Sequence, residues 1–103
     1  MAVAVEVTSG GSLDQYFEGV KRLGGSPEGP HPDPACLFHW ATELAGGGWR
    51  VIDVWETKEQ AQEFIQERVG PVMQELGVSE PQVKFIDVAN FLTAGQRVPA
   101  HAS

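Results

Sequence analysis

Two strand-like runs, Cys36 to Leu44 and Trp49 to Glu56, flank the turn Ala45-Gly46-Gly47-Gly48 in the middle of the chain. Runs rich in β-branched and aromatic residues around glycines read as an antiparallel hairpin, because glycine reaches the positive φ that hairpin turns require. The hairpin carries Leu37, Phe38, Trp40, Trp49, Val51, Ile52, Val54 and Trp55, large apolar residues on both of its faces. A face in water would alternate apolar with polar residues. This hairpin therefore has to be covered on both sides.

The flanking sequence supplies one cover. Residues 2 to 8 place β-branched side chains at every second position, a strand burying Val3, Val5 and Val7 with Glu6 projecting oppositely. Ser12 followed by Gln15 is a capping box, and Leu13, Phe17, Val20 and Leu23 form the apolar stripe of a helix over 13–23, closed by Gly24. Thr57 and Gln60 repeat the capping pattern for a second helix that buries Ala61, Phe64, Ile65 and Val69. Gly70-Pro71 predicts a break there, with Pro71 opening a short continuation through Leu76 that Gly77 ends. Gln82 to Leu92 reads as the last strand. Strand, helix, hairpin, helix, strand is the split β-α-β arrangement: an α+β, ferredoxin-like βαββαβ fold, with a four-stranded antiparallel sheet and two helices on one face. The opposite face is left apolar and bare, which marks an interface.

At 103 residues the chain has room for one core, here residues 1–92, with a Pro/Gly-rich loop at 24–35 and a flexible tail at 93–103. Pro27, Pro30, Pro32 and Pro34 forbid a helix or central strand in that loop, whose length suits a lid. Seven Lys+Arg against 14 Asp+Glu give a net charge of -7, with the basic residues scattered. Neutralising phosphates needs clustered cations, so neither nucleic acid nor an acidic membrane is an expected partner. Cys36 is the only cysteine, so no disulfide can form within the chain. Without a signal-like start or a long apolar run, the expectation is a soluble, cytoplasmic protein.

The segment Phe38-His39-Trp40-Ala41, the glycine turn, Trp49-Arg50-Val51-Ile52-Asp53-Val54-Trp55-Glu56-Thr57, a helix with Phe64, and the Gly70-Pro71 break resemble the dimeric α+β barrel superfamily. Within it the likeness is to actinobacterial proteins near the antibiotic-biosynthesis-monooxygenase type, over residues 2 to 92. The resemblance implies a homodimer with sheets packed face to face and, in each protomer, a cavity for a small hydrophobic or aromatic ligand between loops and the sheet face away from the helices, beside the dimer interface. Members include cofactor-independent monooxygenases of polycyclic phenols, haem-degrading enzymes, isomerases and polyketide cyclases. Haem-binding members carry a histidine on the second helix, whereas Gln60 to Val69 contains none. That departure argues against haem, and no metal or other cofactor is expected.

His39 lies mid-strand, and histidine alone titrates ordinarily near neutrality, so it is the candidate general base or hydrogen-bond donor. It can equally be a buried histidine satisfied by a neighbour. Asp53, between Ile52 and Val54, must be compensated if buried, and is the candidate that orients His39. A three-residue turn at Gly46 to Gly48 makes His39 oppose Trp55 and Ala41 oppose Asp53, with His39, Asp53, Trp55 and Trp49 on one face. A loop of two or four residues puts Trp40 opposite Asp53 and His39 on the other face. Trp40, Trp55, Phe38 and Phe85 are candidates to hold a flat ligand, or else fill core and interface. Asp87 adds a second carboxylate to the cavity or remains an edge-strand acid in water. Cys36 has no sequence neighbour to activate it, and His31 and His101 read as solvated. The expected function is a cofactor-independent monooxygenase or cyclase/isomerase of secondary metabolism acting on an aromatic, polyketide-like substrate. The alternative is a non-catalytic, ligand-binding or structural homodimer.

Overall fold

The computed structural model describes residues 2–26 and 29–91. Leu92 and the 93–103 tail, together with Pro27, lie outside the described residues. The elements are β1 (Val3–Ser9), α1 (Leu13–Arg22), β2 (Cys36–Glu43), β3 (Trp49–Trp55), α2 (Lys58–Phe64), a π-helical turn (Ile65–Val69), α3 (Gly70–Glu75) and β4 (Gln82–Asp87). They build one four-stranded antiparallel sheet in the order β2-β3-β1-β4. This is the expected βαββαβ fold.

Local chemistry sets most boundaries as the sequence implies. Ser12 and Gln15 close a full capping box at the start of α1, and the Thr57 hydroxyl accepts from the Gln60 amide at the start of α2. The expected apolar stripe of α1 faces inward only in part, with Val20 and Leu23 on the inner cavity. Tyr16, Gly19 and Leu23 turn toward the sheet and α3, while Phe17 is left 41% exposed. Gly19 is the buried residue of α1 and faces Val72 and Leu76.

The second helix is not broken at Gly70-Pro71. Its backbone stays helical through Gly70, whose N–H reaches back five residues to the Ile65 carbonyl. Proline offers no N–H and its ring crowds the carbonyl four residues earlier. The wide π turn before Pro71 absorbs both problems without ending the helix. The last strand is also shorter than expected. It ends at Asp87, after which the Val88 N–H bonds the Ala2 carbonyl and Phe91 meets Phe38 with ring centroids 6.2 Å apart.

The hairpin register corrects both sequence alternatives. Glu43 pairs with Trp49 and Leu44 N–H bonds the Gly48 carbonyl, so the turn is centred on Gly46 and His39 stands directly opposite Asp53. It is two residues from the three-residue register and keeps that register's parity. His39, Asp53, Trp55 and Trp49 therefore share one face. That face also carries Val3, Val5, Val7 and Val51, all at most 6% exposed, and it packs against the helices. The opposite face shows Phe38, Trp40 and Ile86, exposed by 47, 43 and 46%.

Candidate functional site

Between the helix-side face of β2 and β3 and the helices lies a cavity of about 750 Å³. Most of its wall is apolar, from Val7, Val51, Val20, Leu23, Phe64 and Met73. Its size falls within the range of small-molecule sites. His39, Tyr16, Asp53 and His31 gather on this wall. Gly25, Ser26 and residues 29–34 close one side and bring in His31. A one-residue bulge at Leu37 turns β2 over, so that Cys36 and His39 both face the cavity side while Phe38 faces out.

The polar residues form a chain of hydrogen bonds. Trp55 Nε1–H donates to Asp53 Oδ2 at 3.2 Å, and Asp53 Oδ1 lies 2.5 Å from His39 Nδ1. As a carboxylate Asp53 only accepts, so Nδ1 carries the proton and Nε2 of a neutral ring is an acceptor. Tyr16 Oη, 2.6 Å from that Nε2, is then the donor. Burial, and secondly the negative charge of Asp53, push the Tyr16 hydroxyl from 10.0 up to about 12. Tyr16 thus keeps its proton at neutral pH. The order Tyr16, His39, Asp53, Trp55 can pass a proton from the cavity to His39 while Asp53 holds the ring and balances its charge. Asp53 is 7% exposed, so this pairing also answers the cost of burying its carboxylate.

His31 is not solvated, contrary to the sequence expectation. Its ring lies 5.5 Å from those of His39 and Trp55 and 5.3 Å from that of Phe64, measured between centroids. Burial lowers its pKa from the ordinary value, partly offset by Asp53. His31, His39 and Asp53 each offer one ligand atom within 4.8 Å of the others, a set able to surround a cation. His39 Nδ1 and Asp53 Oδ1 are already occupied by each other. Nδ1 of His31 is likewise occupied, by the Asp33 amide. The indole N–H of Trp49, on the same wall, is buried without a partner among the described residues.

Of the residues singled out from sequence, His39 and Asp53 come together and the others separate. Trp55 is fully buried and backs Asp53 instead of lining the cavity. Trp40 points to the opposite face, and Phe38 reaches the cavity only at its rim. Phe85 and Asp87 sit on the far edge strand, with two strands between it and β2. There Phe85 packs on the core beneath the Lys58 ammonium, and Asp87 is exposed. Burial raises the Cys36 thiol above its usual range, in keeping with an unreactive cysteine. Sequence reasoning missed Tyr16, the only tyrosine of the chain. The spacing Tyr16, Gly19, Leu23 is itself a helical row and was the available signal.

No protein family and no curated protein matches the chain by sequence. Solved structures do match in shape. A protein of unknown function from Nitrosomonas europaea superposes with a TM-score of 0.64 at 12% identity, over 91% of this chain and 96% of that one. A cofactor-independent oxygenase, SnoaB from Streptomyces nogalater, gives 0.55 at 10% identity, over 88% and 95%. A proposed antibiotic biosynthesis monooxygenase from Deinococcus radiodurans gives 0.53 at 11% identity, over 92% and 99%. The likeness extends over nearly the whole length of each.

Proposed function

We propose that this chain, which has the ferredoxin-like fold of antibiotic-biosynthesis-monooxygenase-type proteins, is an acid–base enzyme acting on a hydroxylated aromatic, polyketide-like small molecule. The observation that carries the reading is the Tyr16–His39–Asp53 hydrogen-bond chain on the wall of an otherwise apolar cavity. A flat, apolar ligand fills such a space by burial, and its hydroxyl meets the polar cluster. In the chemical step the ligand O–H gives its proton to Tyr16 Oη as Tyr16 passes its own to His39 Nε2. The ligand is left as an anion and His39 as an imidazolium held by Asp53. An electron-rich aryloxide or enolate is the species that either reacts with molecular oxygen, as in a cofactor-independent monooxygenase, or closes and shifts its double bonds, as in a cyclase or isomerase. Asp53 orients the base, and Trp55 fixes Asp53.

The same reading includes a homodimer sealed by the outer sheet face, with each cavity on the opposite side of its own sheet. The cavity lies on the helix side of the sheet and not, as the resemblance implied, on the bare face beside the dimer interface.

The test uses a panel of hydroxylated polycyclic aromatics, followed for depletion, oxygen uptake and the aryloxide absorbance of the bound ligand. His39→Gln should keep the fold, bind the same compounds and lose roughly 10²-fold or more in turnover, the range removed with a general base. Unchanged turnover in that variant would remove His39 from the mechanism. A wild-type protein that binds such compounds and never consumes them would make it a binding protein.

A further inference from the structure

The two histidines of the cavity are held in opposite tautomers. His31 Nδ1 lies 2.9 Å from the Asp33 amide N–H, which can only donate, and 3.2 Å from the Asp33 carbonyl oxygen; the shorter contact, which an Nδ1 proton would clash with, makes Nδ1 the acceptor and leaves the proton on Nε2. Asp33 is itself fixed, because its Oδ1 accepts from the Ala35 amide at 2.9 Å and its carbonyl from Cys36 N–H at 3.1 Å. His39 is the reverse, with Nδ1–H toward Asp53 and Nε2 accepting from Tyr16. His31 Nε2–H has no hydrogen-bond partner among the described residues, although its ring lines the cavity. One side of the cluster therefore takes a proton and the other offers a hydrogen bond.

We propose that His31 is a ligand-binding residue of this site, donating Nε2–H to a second oxygen of the ligand while the neighbouring hydroxyl meets Tyr16. This rests on reading the cavity as an acid–base site, and it narrows the ligand to a class. The class is compounds with two oxygens side by side, an ortho-hydroxyaryl ketone or an enolised 1,3-dicarbonyl. The placement suits them, since the His31 and Tyr16 rings flank the His39 ring, with centroids 5.5 and 6.3 Å from it, on the wall of one cavity. The chemistry suits them as well. When the hydroxyl loses its proton through Tyr16 to His39, negative charge spreads onto the adjacent carbonyl oxygen, and a donor placed there stabilises the anion more than the neutral ligand. The ligand O–H bond breaks, the Tyr16 O–H is exchanged and an N–H forms on His39, so the step needs no oxidant.

The experiment compares an ortho-acetyl naphthol with the matching ortho-ethyl naphthol, which lacks the carbonyl oxygen. Wild-type protein should prefer the acetyl compound by roughly 5- to 10-fold, the worth of one hydrogen bond. His31→Leu should erase that preference without weakening the ethyl compound, and His31→Gln, which keeps an N–H donor, should restore part of it. A preference that survives His31→Leu, or is absent from wild type when both naphthols bind, overturns the inference and leaves the acid–base reading intact. If neither naphthol binds wild type, both readings fall. Nitrogen NMR of the unliganded wild-type protein decides independently of any variant: His31 should show the Nε2–H form and His39 the Nδ1–H form. A His31 ring protonated at Nδ1 would rule out the assigned role.

Discussion

Tyr16 links stability to chemistry through a single hydroxyl. In the folded chain it keeps its proton up to a pH of about 12, against 10.0 ordinarily, because it is half-buried and faces the charge of Asp53. The unfolded chain releases that proton near the ordinary value. The stability gained from this group is therefore complete below pH 10 and lost as the pH rises from 10 toward 12. Thermal melts of wild type and Tyr16→Phe should differ by a constant amount between pH 7 and 9, with the wild type losing ground to the variant above 10. A gap that stays constant to pH 12 would mean that the hydroxyl is not held as described. At this scale the sequence exposed half of the site. His39 and Asp53 share a face only in one of the two registers the sequence allows; the observed pairing keeps the parity of that register, because a shift of two residues preserves the face. Tyr16 and His31 could not be placed that way. The first depends on how α1 rotates about its axis against the sheet and α3, and the second on the path of a loop that has no period.

At the scale of elements, the β2–β3 turn fixes which residue faces Asp53, and its glycines are not equivalent. Gly47 and Gly48 both have positive φ, +96° and +90°. A Cβ on Gly47 would meet nothing within 4 Å, whereas one on Gly48 would stand 2.4 Å from the Ser9 carbonyl oxygen. Gly47→Ala should thus cost about 1 kcal/mol for its backbone conformation alone. Gly48→Ala adds a clash with the backbone of β1 and should cost roughly 2–4 kcal/mol, with loss of register as the escape. Urea denaturation of the two variants checks the order; equal midpoints would contradict the close approach of Gly48 to Ser9. The glycine run announced a turn but not its centre, because the choice depends on a contact with a strand about 40 residues earlier in the chain. The same limit applies to Gly70-Pro71. Locally the pair looks like a helix break, and the π turn that accommodates it is stabilised by Phe64 and Met73 packing on the sheet side.

For the whole molecule, the outer sheet face is the surface most in need of a partner. Its outward strand positions include Ala4, Phe38, Trp40, Ile52, Val54 and Ile86, running from the β2 edge to the β4 edge. Charge complements this: although the chain carries a net -7, the only acid among those outward positions is Glu6, which lies 3.0 Å from Arg50, with Lys84 beside it in the register. A strongly acidic chain can approach a copy of itself across such a face without the repulsion its other surfaces would impose. In a two-fold dimer the same patch meets itself, so one substitution acts twice. Trp40→Glu replaces a large exposed aromatic with a charge that must be buried when the copies meet. Sedimentation should show wild type at twice the chain mass and Trp40→Glu at the chain mass. A wild type that sediments as a single chain at tens of micromolar, or a variant that remains paired, would refute the face-to-face dimer. Because His39, Tyr16 and His31 lie on the opposite side of the sheet, the monomeric variant should still bind the naphthol ligands. Binding lost together with the dimer would mean instead that closing the outer face holds β2, and with it His39, in the position the cavity requires.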